Sequence, residues 1–217
     1  MKETVLNALK GLYPVREREL GQDHELKKSG MKFIITAYDI EGFGSMSVIN
    51  MTAMLGLMHM ESFVVTAETK DLPLFSGDFI KAAGKCTLLM EFYDTMLSPL
   101  DEASAAAYQA VKTRYADLPR YETGPHWYDP IRYPFTLGAA GKGLKEKKDS
   151  ITEDYVKAYL ANIGRAPACD AAEKKAKTKA YVDGLLTHGG PAADQFRKLF
   201  GEEKARRIFE KHVFSCR

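Results

Sequence analysis

The chain has 217 residues, 45% of them hydrophobic and 28% charged, with a formal net charge of +2. That composition suits one globular domain spanning 1–217 and excludes a disordered or fibrous chain. No apolar run approaches the ~20 residues of a membrane span. The cysteines, Cys86, Cys169 and Cys216, lack CxxC or Cys/His spacing, which argues against a disulfide framework or a zinc site and for a reducing compartment.

The opening "MKETVLNALKGLYP" reads as a short amphipathic helix ending near Gly11. It lacks the apolar core and cleavage site of a signal peptide, so the expected location is the cytoplasm. Strands follow at 32–40, 45–53, 58–65, 74–80 and 86–94. The second and third, and the fourth and fifth, form hairpins with glycine in the turn. The period then changes. Ser98, Pro99 and Asp101 open a helix that runs to about Ala116. Residues 120–143 are rich in Gly, Pro and aromatics and read as a loop. Ser150 with Glu153 is a capping box, and Val156, Tyr159, Leu160 and Ile163 continue at helical spacing to Gly164. One further helix ends near Gly184, and another begins after Pro191 and breaks at Gly201. Strands followed by helices give an α+β domain: an antiparallel sheet covered by helices.

Charge is uneven. Residues 1–140 carry 14 Lys/Arg against 18 Asp/Glu, a net of −4, and residues 141–217 carry 17 against 11, a net of +6. The basic clusters suit either solvated helix faces or a docking face for an acidic partner. Nucleic acid is not expected, because no binding motif accompanies the charge. A membrane is not expected either, for want of a spanning segment.

Two features carry chemistry. If Leu55 and Gly56 form the turn of the first hairpin, Asn50 lies opposite Glu61 and Thr52 opposite His59, all on one face. Phe63 continues that face. The cluster suits a pocket or a half-solvated sheet. Asp78 stands alone among Leu74, Phe75, Phe79 and Ile80. An ionised carboxylate there is costly unless it is paired or its pKa rises. It is therefore either a hydrogen-bonded structural group or a proton donor. No GxGxxG, Walker loop, GxSxG or HExxH motif is present.

"ESFVVTAETKDLPLFSGDFI" with "CTLLMEFYDTML", then "HWYDPIRYPF" and "YVDGLLTHGGPAADQFRKLFGEEKARRIFEKHVF", resembles the ferredoxin-dependent bilin reductases in order and spacing over roughly residues 30–215. The resemblance implies a three-layer α/β/α sandwich with a central antiparallel sheet. An open-chain tetrapyrrole would lie between the sheet and the C-terminal helices. It implies no metal and no tightly bound cofactor. Reduced ferredoxin or flavodoxin, a small acidic partner, would deliver single electrons, and side chains would supply protons to a bilin radical. The related chlorophyll catabolite reductases act in the same way. Asp78 matches the family's central aspartate, and Glu61 falls where members have His or Asn. "THGGPA" lacks the C-terminal carboxylate of some members and leaves His188 as the nearest titratable group. Arg132 is a partner for a propionate, and Asn50, His59 and Phe63 would line the substrate. The alternative is a non-enzymatic binding protein for a linear tetrapyrrole or heme product. His24 and His212 read as surface residues.

Overall fold

A computed structural model describes residues 1–217. Helix α1 (Lys2–Lys10) is followed by strands β1 (Val15–Glu17), β2 (Glu25–Lys28), β3 (Met31–Ile40), β4 (Gly44–Ala53), β5 (Met58–Ala67), β6 (Leu74–Ala82) and β7 (Lys85–Tyr93). Then come α2 (Glu102–Arg114), β8 (Leu137–Ala140), α3 (Leu144–Asn162), α4 (Ala171–His188), α5 (Pro191–Phe200) and α6 (Glu202–Ile208). The eight strands form one sheet in the order β1-β3-β4-β5-β6-β7-β8, with β2 beside β1 on the same flank of β3. Every pairing is antiparallel.

The first hairpin keeps the expected register, with Asn50 opposite Glu61 and Thr52 opposite His59. Its tip is a four-residue loop, Met54 to Leu57. Alternation of side chains along each strand then builds two cores. On one face α1, α2 and α3 pack Val5, Leu9, Tyr108, Tyr155 and Tyr159 against Met46, Val48, Phe63, Phe75, Leu88 and Phe92. On the other, α4, α5 and α6 pack Val182, Leu186, Phe196 and Ile208 against Phe33, Ile35, Ile49 and Met51. The molecule is thus helix layer, sheet, helix layer, as the α+β sandwich predicts.

Local expectations fail where local signals mislead. Ser150 does not cap a helix: α3 starts at Leu144, and the Ser150 hydroxyl donates to the Lys147 carbonyl. Asp101 caps α2 by accepting the Ser104 N–H, so Pro99 lies before the helix rather than in its first turn. The 120–143 segment contains β8, whose Leu-Gly-Ala-Ala carries no β-branched signal. The outer edge of β8 is covered: the Tyr121 N–H donates to Gly138 O (3.0 Å) and the Ala140 N–H to Pro119 O (2.9 Å). Gly184 does not end α4, which continues to His188. His212 is buried rather than on the surface, 3.1 Å from the Asp23 carboxylate.

Two contacts fix the C-terminal layer. The buried Lys174 ammonium near the start of α4 donates to Asp71 (3.1 Å) and to the carbonyls of Leu72 (2.7 Å) and Thr95 (2.8 Å). Asp71 also accepts from Leu97 N–H and from both Ser98 donors. At the far end of α4, Trp127 Nε1 donates to Gly189 O (2.7 Å). Trp127 also lies over Gly184, where any Cβ would sit 2.2 Å from the indole ring.

Candidate active site

Asp78 occupies the middle of β6, opposite Ser62 on β5 and Leu89 on β7. Its face is that of Ile35, Ile49 and Leu74, the side of the C-terminal helices. The helices cover that face unevenly. Over β3 and β4, Phe33, Ile35, Ser47 and Ile49 are buried. Over β5, β6 and β7, Met58, Met60, Ser62, Val64, Asp78, Ile80, Thr87 and Leu89 are only half-buried. The result is a half-covered, largely apolar trough along the sheet, with the Asp78 carboxyl in its floor and Glu91 towards its end.

The Ser62 hydroxyl donates to the Asp78 carboxylate. Burial lifts the Asp78 pKa to about 6; the Ser62 hydrogen bond pulls it down, and the charge of Glu91 pushes it up. Glu91 projects from the same face, two residues further along β7 than Leu89. It is buried but neutralised: it accepts from the Tyr93 hydroxyl (2.8 Å) and from Arg132 Nη1 (3.2 Å). Arg132 also pairs with Asp129 (2.8 Å) and lies over the Tyr128 ring.

Aromatic rings close this end of the trough. Tyr93 packs on Tyr181 with centroids 4.8 Å apart and on Tyr128 at 5.6 Å. Trp127 contacts Tyr128, Tyr181 and the His188 ring. Burial, then the nearby negative charges, raises the phenol pKa of Tyr181 well above its usual value, so the hydroxyl stays protonated. Beside Leu89, Glu91 and Arg132 a cleft of about 720 Å³ opens under the 120–125 loop. No group of three or more His, Cys, Asp or Glu side chains is placed to hold a metal ion.

The register separates the residues that the sequence grouped. Glu61 lies opposite Phe79 and Ser62 opposite Asp78, so Glu61 and Asp78 stand on opposite faces of the sheet. They cannot act on one group. Glu61 instead accepts from Lys2 N–H (2.8 Å) and pairs with Lys148 (3.3 Å) and the Met1 amino group (3.2 Å), under α1 and α3. These partners outweigh the burial that would raise its pKa, and the pKa falls. Asn50 and His59 share that face. Phe63 is 1% exposed, locked over Gly77, where a Cβ would meet its ring at 2.4 Å. It offers no surface to a ligand. The expected single pocket of Asn50, His59, Glu61, Phe63 and Asp78 is corrected to Asp78 alone on its face. His188 is exposed at the end of α4, against Trp127. Arg132 is at the site but already holds two carboxylates. Glu91 was missed, although "CTLLMEFYD" shows the same signal as Asp78: one acid inside an apolar strand.

The crystal structure of phytochromobilin synthase from tomato in complex with biliverdin matches the chain with a TM-score of 0.76. The match covers 99% of this chain and 83% of that one, at 15% sequence identity. No protein-family model matches the sequence, and no curated protein does. The chain therefore shares its fold with that synthase over almost its whole length, at 15% identity.

Proposed function

We propose that the protein binds an open-chain tetrapyrrole in the trough between the sheet and the C-terminal helices and reduces it. The observation that carries this reading is the placement of Asp78. A single carboxyl with a pKa of about 6 sits in an apolar floor, on the side where the family resemblance expects the bilin. A flat, polarizable pigment suits a floor of Met58, Met60, Val64, Ile80 and Leu89. The shared fold with a biliverdin-bound synthase supports the same ligand class.

Reducing one double bond takes two electrons and two protons. Reduced ferredoxin or flavodoxin supplies the electrons singly, drawn to the basic C-terminal part of the chain. Asp78 gives a proton to the bilin radical and recovers it from solvent through the open half of the trough. With a pKa near 6 it is roughly a tenth protonated at pH 7, close enough to the working pH to donate and be refilled. Glu91, bound by Arg132 and the Tyr93 hydroxyl, fixes these two side chains at the end of the trough beside Asp78. His188, against Trp127 at the edge of the aromatic wall, would give the second proton.

The test is anaerobic. Biliverdin added to the protein shifts its visible absorbance, and a reduced ferredoxin system then bleaches and replaces that band. Asp78→Asn still binds the pigment, but its reduction falls by about 10²–10⁴-fold, the usual worth of a positioned proton donor. Equal reduction by the variant removes Asp78 from the chemistry. Binding with no reduction by the unaltered protein leaves a tetrapyrrole carrier. No absorbance change on titration removes the tetrapyrrole.

A further inference from the structure

Three hairpin tips lie together at one end of the sheet. Register places Lys27, Lys32, Thr52, His59, Lys81 and Cys86 in one row across six strands. Beyond that row lie only Lys28, Met31, Ala53, Met58, Ala82, Lys85 and the turns themselves. Lysine dominates the charge there. Lys27 and Lys32 share Glu25, while Lys28, Lys81 and Lys85 are exposed and make no ion pair.

The three turns differ in what they present. Two place small residues in the left-handed region, Ser29 with Gly30 and Ala83 with Gly84. The β4–β5 turn places Met54 (φ 53°) and Leu55 (φ 55°) there. Side chains of that size are strained in this conformation, where Asn or Gly would be at ease. Nothing in the fold offsets that strain. Met54 is 64% exposed, Leu55 106% and Leu57 68%, the three most exposed large apolar side chains of the molecule. Bulky apolar groups held outward on a strained turn call for an apolar medium outside the chain.

The shape and charge say which medium. A protein partner of apolar character needs a concave or flat patch, whereas this turn is a convex prong. Between it and the β2–β3 turn lies a shallow hollow of about 450 Å³ lined by Lys27, Lys28, Lys32, Met31 and Leu55. That is the size and charge for a phosphate headgroup with an acyl boundary beside it. We propose that this end of the sheet rests on an anionic membrane surface, with Met54, Leu55 and Leu57 entering the headgroup layer and the lysines of the three hairpins holding lipid phosphates. The absence of a spanning helix does not bear on this. Lying on a bilayer needs only an apolar tip and a basic rim of lysines close to the surface. The proposal stands independently of the tetrapyrrole reading.

The experiment is co-sedimentation of the full chain with vesicles of phosphatidylcholine alone or mixed with phosphatidylglycerol, at low and high salt. Binding is expected only to the mixed vesicles and weaker at high salt. Leu55→Asn with Leu57→Asn lowers the partition coefficient about tenfold or more, from the apolar area no longer buried. It leaves the melting temperature unchanged or higher, because Asn relieves the turn. Lys28→Glu with Lys81→Glu abolishes binding, while each variant keeps the circular dichroism of the parent. The proposal is overturned if the unaltered protein stays in the supernatant with mixed vesicles at low salt. It is equally overturned if the leucine variant binds as well as the parent, which would mean bare charge attraction. A lysine variant that binds vesicles normally but reacts poorly with an acidic electron donor would assign the patch to that protein instead, and also overturns it.

Discussion

The two faces of the sheet solve different problems. On the α1/α2/α3 side the aromatic residues interlock without a gap: Phe75 stacks on Phe92 at 4.6 Å, and Phe92 in turn touches Tyr108, Phe135, Tyr155 and Tyr159. Charge on that side is paired within clusters such as Glu61 with Lys148 and the buried Met1 amino group. On the α4/α5/α6 side the helices stop short of β5–β7, and charge goes inside: Asp78, Glu91 with Arg132, and Lys174 with Asp71. Dense apolar packing gives the first face its stability. The second gives up cover and pays in desolvated charges, which is how a fold keeps room and reactivity together. The face proposed to bind the pigment is the one with the poorer core.

Three perturbations sharpen that contrast. Lys174→Met leaves Asp71 buried without its counter-ion and should cost about 3–5 kcal/mol, read from urea unfolding. If the loss is under about 1 kcal/mol, the second face is not held by its buried charges. Asp78 acts in the opposite sense. Its pKa is raised in the folded state from 3.8 to about 6. The carboxyl is protonated in both states only well below its unfolded pKa of 3.8. As pH rises through the window up to about 6, the unfolded chain ionises first and stability is lost. The residue keeps some contact with water, so the loss is about 2 kcal/mol. Asp78→Asn should therefore gain stability over the parent by about that amount between pH 4 and pH 7. A difference that is flat across this range would show an ordinary aspartate. The smallest effect belongs to Glu61→Gln. It should leave the proposed bilin reduction unchanged and cost about 1 kcal/mol, since Met1 and Lys148 keep Asp149 as a partner. A large fall in reduction would place chemistry on the packed face.

What the sequence reveals here follows the range of its signals. The β4–β5 register was readable because a short turn fixes which residues face each other. The relation of Glu61 to Asp78 was not, because β5 and β6 are joined by residues 68–73, a connection whose geometry sets no parity between the strands. One residue of shift there moves Asp78 to the other face, which is why the two acids looked like partners. Asp78 itself was legible from a single charge in an apolar run. The same signal at Glu91 is weaker, since Tyr93 and Asp94 follow it. Its partner Arg132 arrives from a loop 41 residues further on, a distance no local pattern reports. The start of α3 was hidden because Gly143 caps it without a side-chain bond.

An open eight-stranded sheet exposes a danger that the 119–121 segment removes. By pairing with the Gly138 carbonyl and the Ala140 amide on the rim of β8, that strap denies a neighbouring molecule this edge of the sheet. Cutting or displacing it would open that edge to pairing with a second molecule, whatever became of the face that carries Asp78.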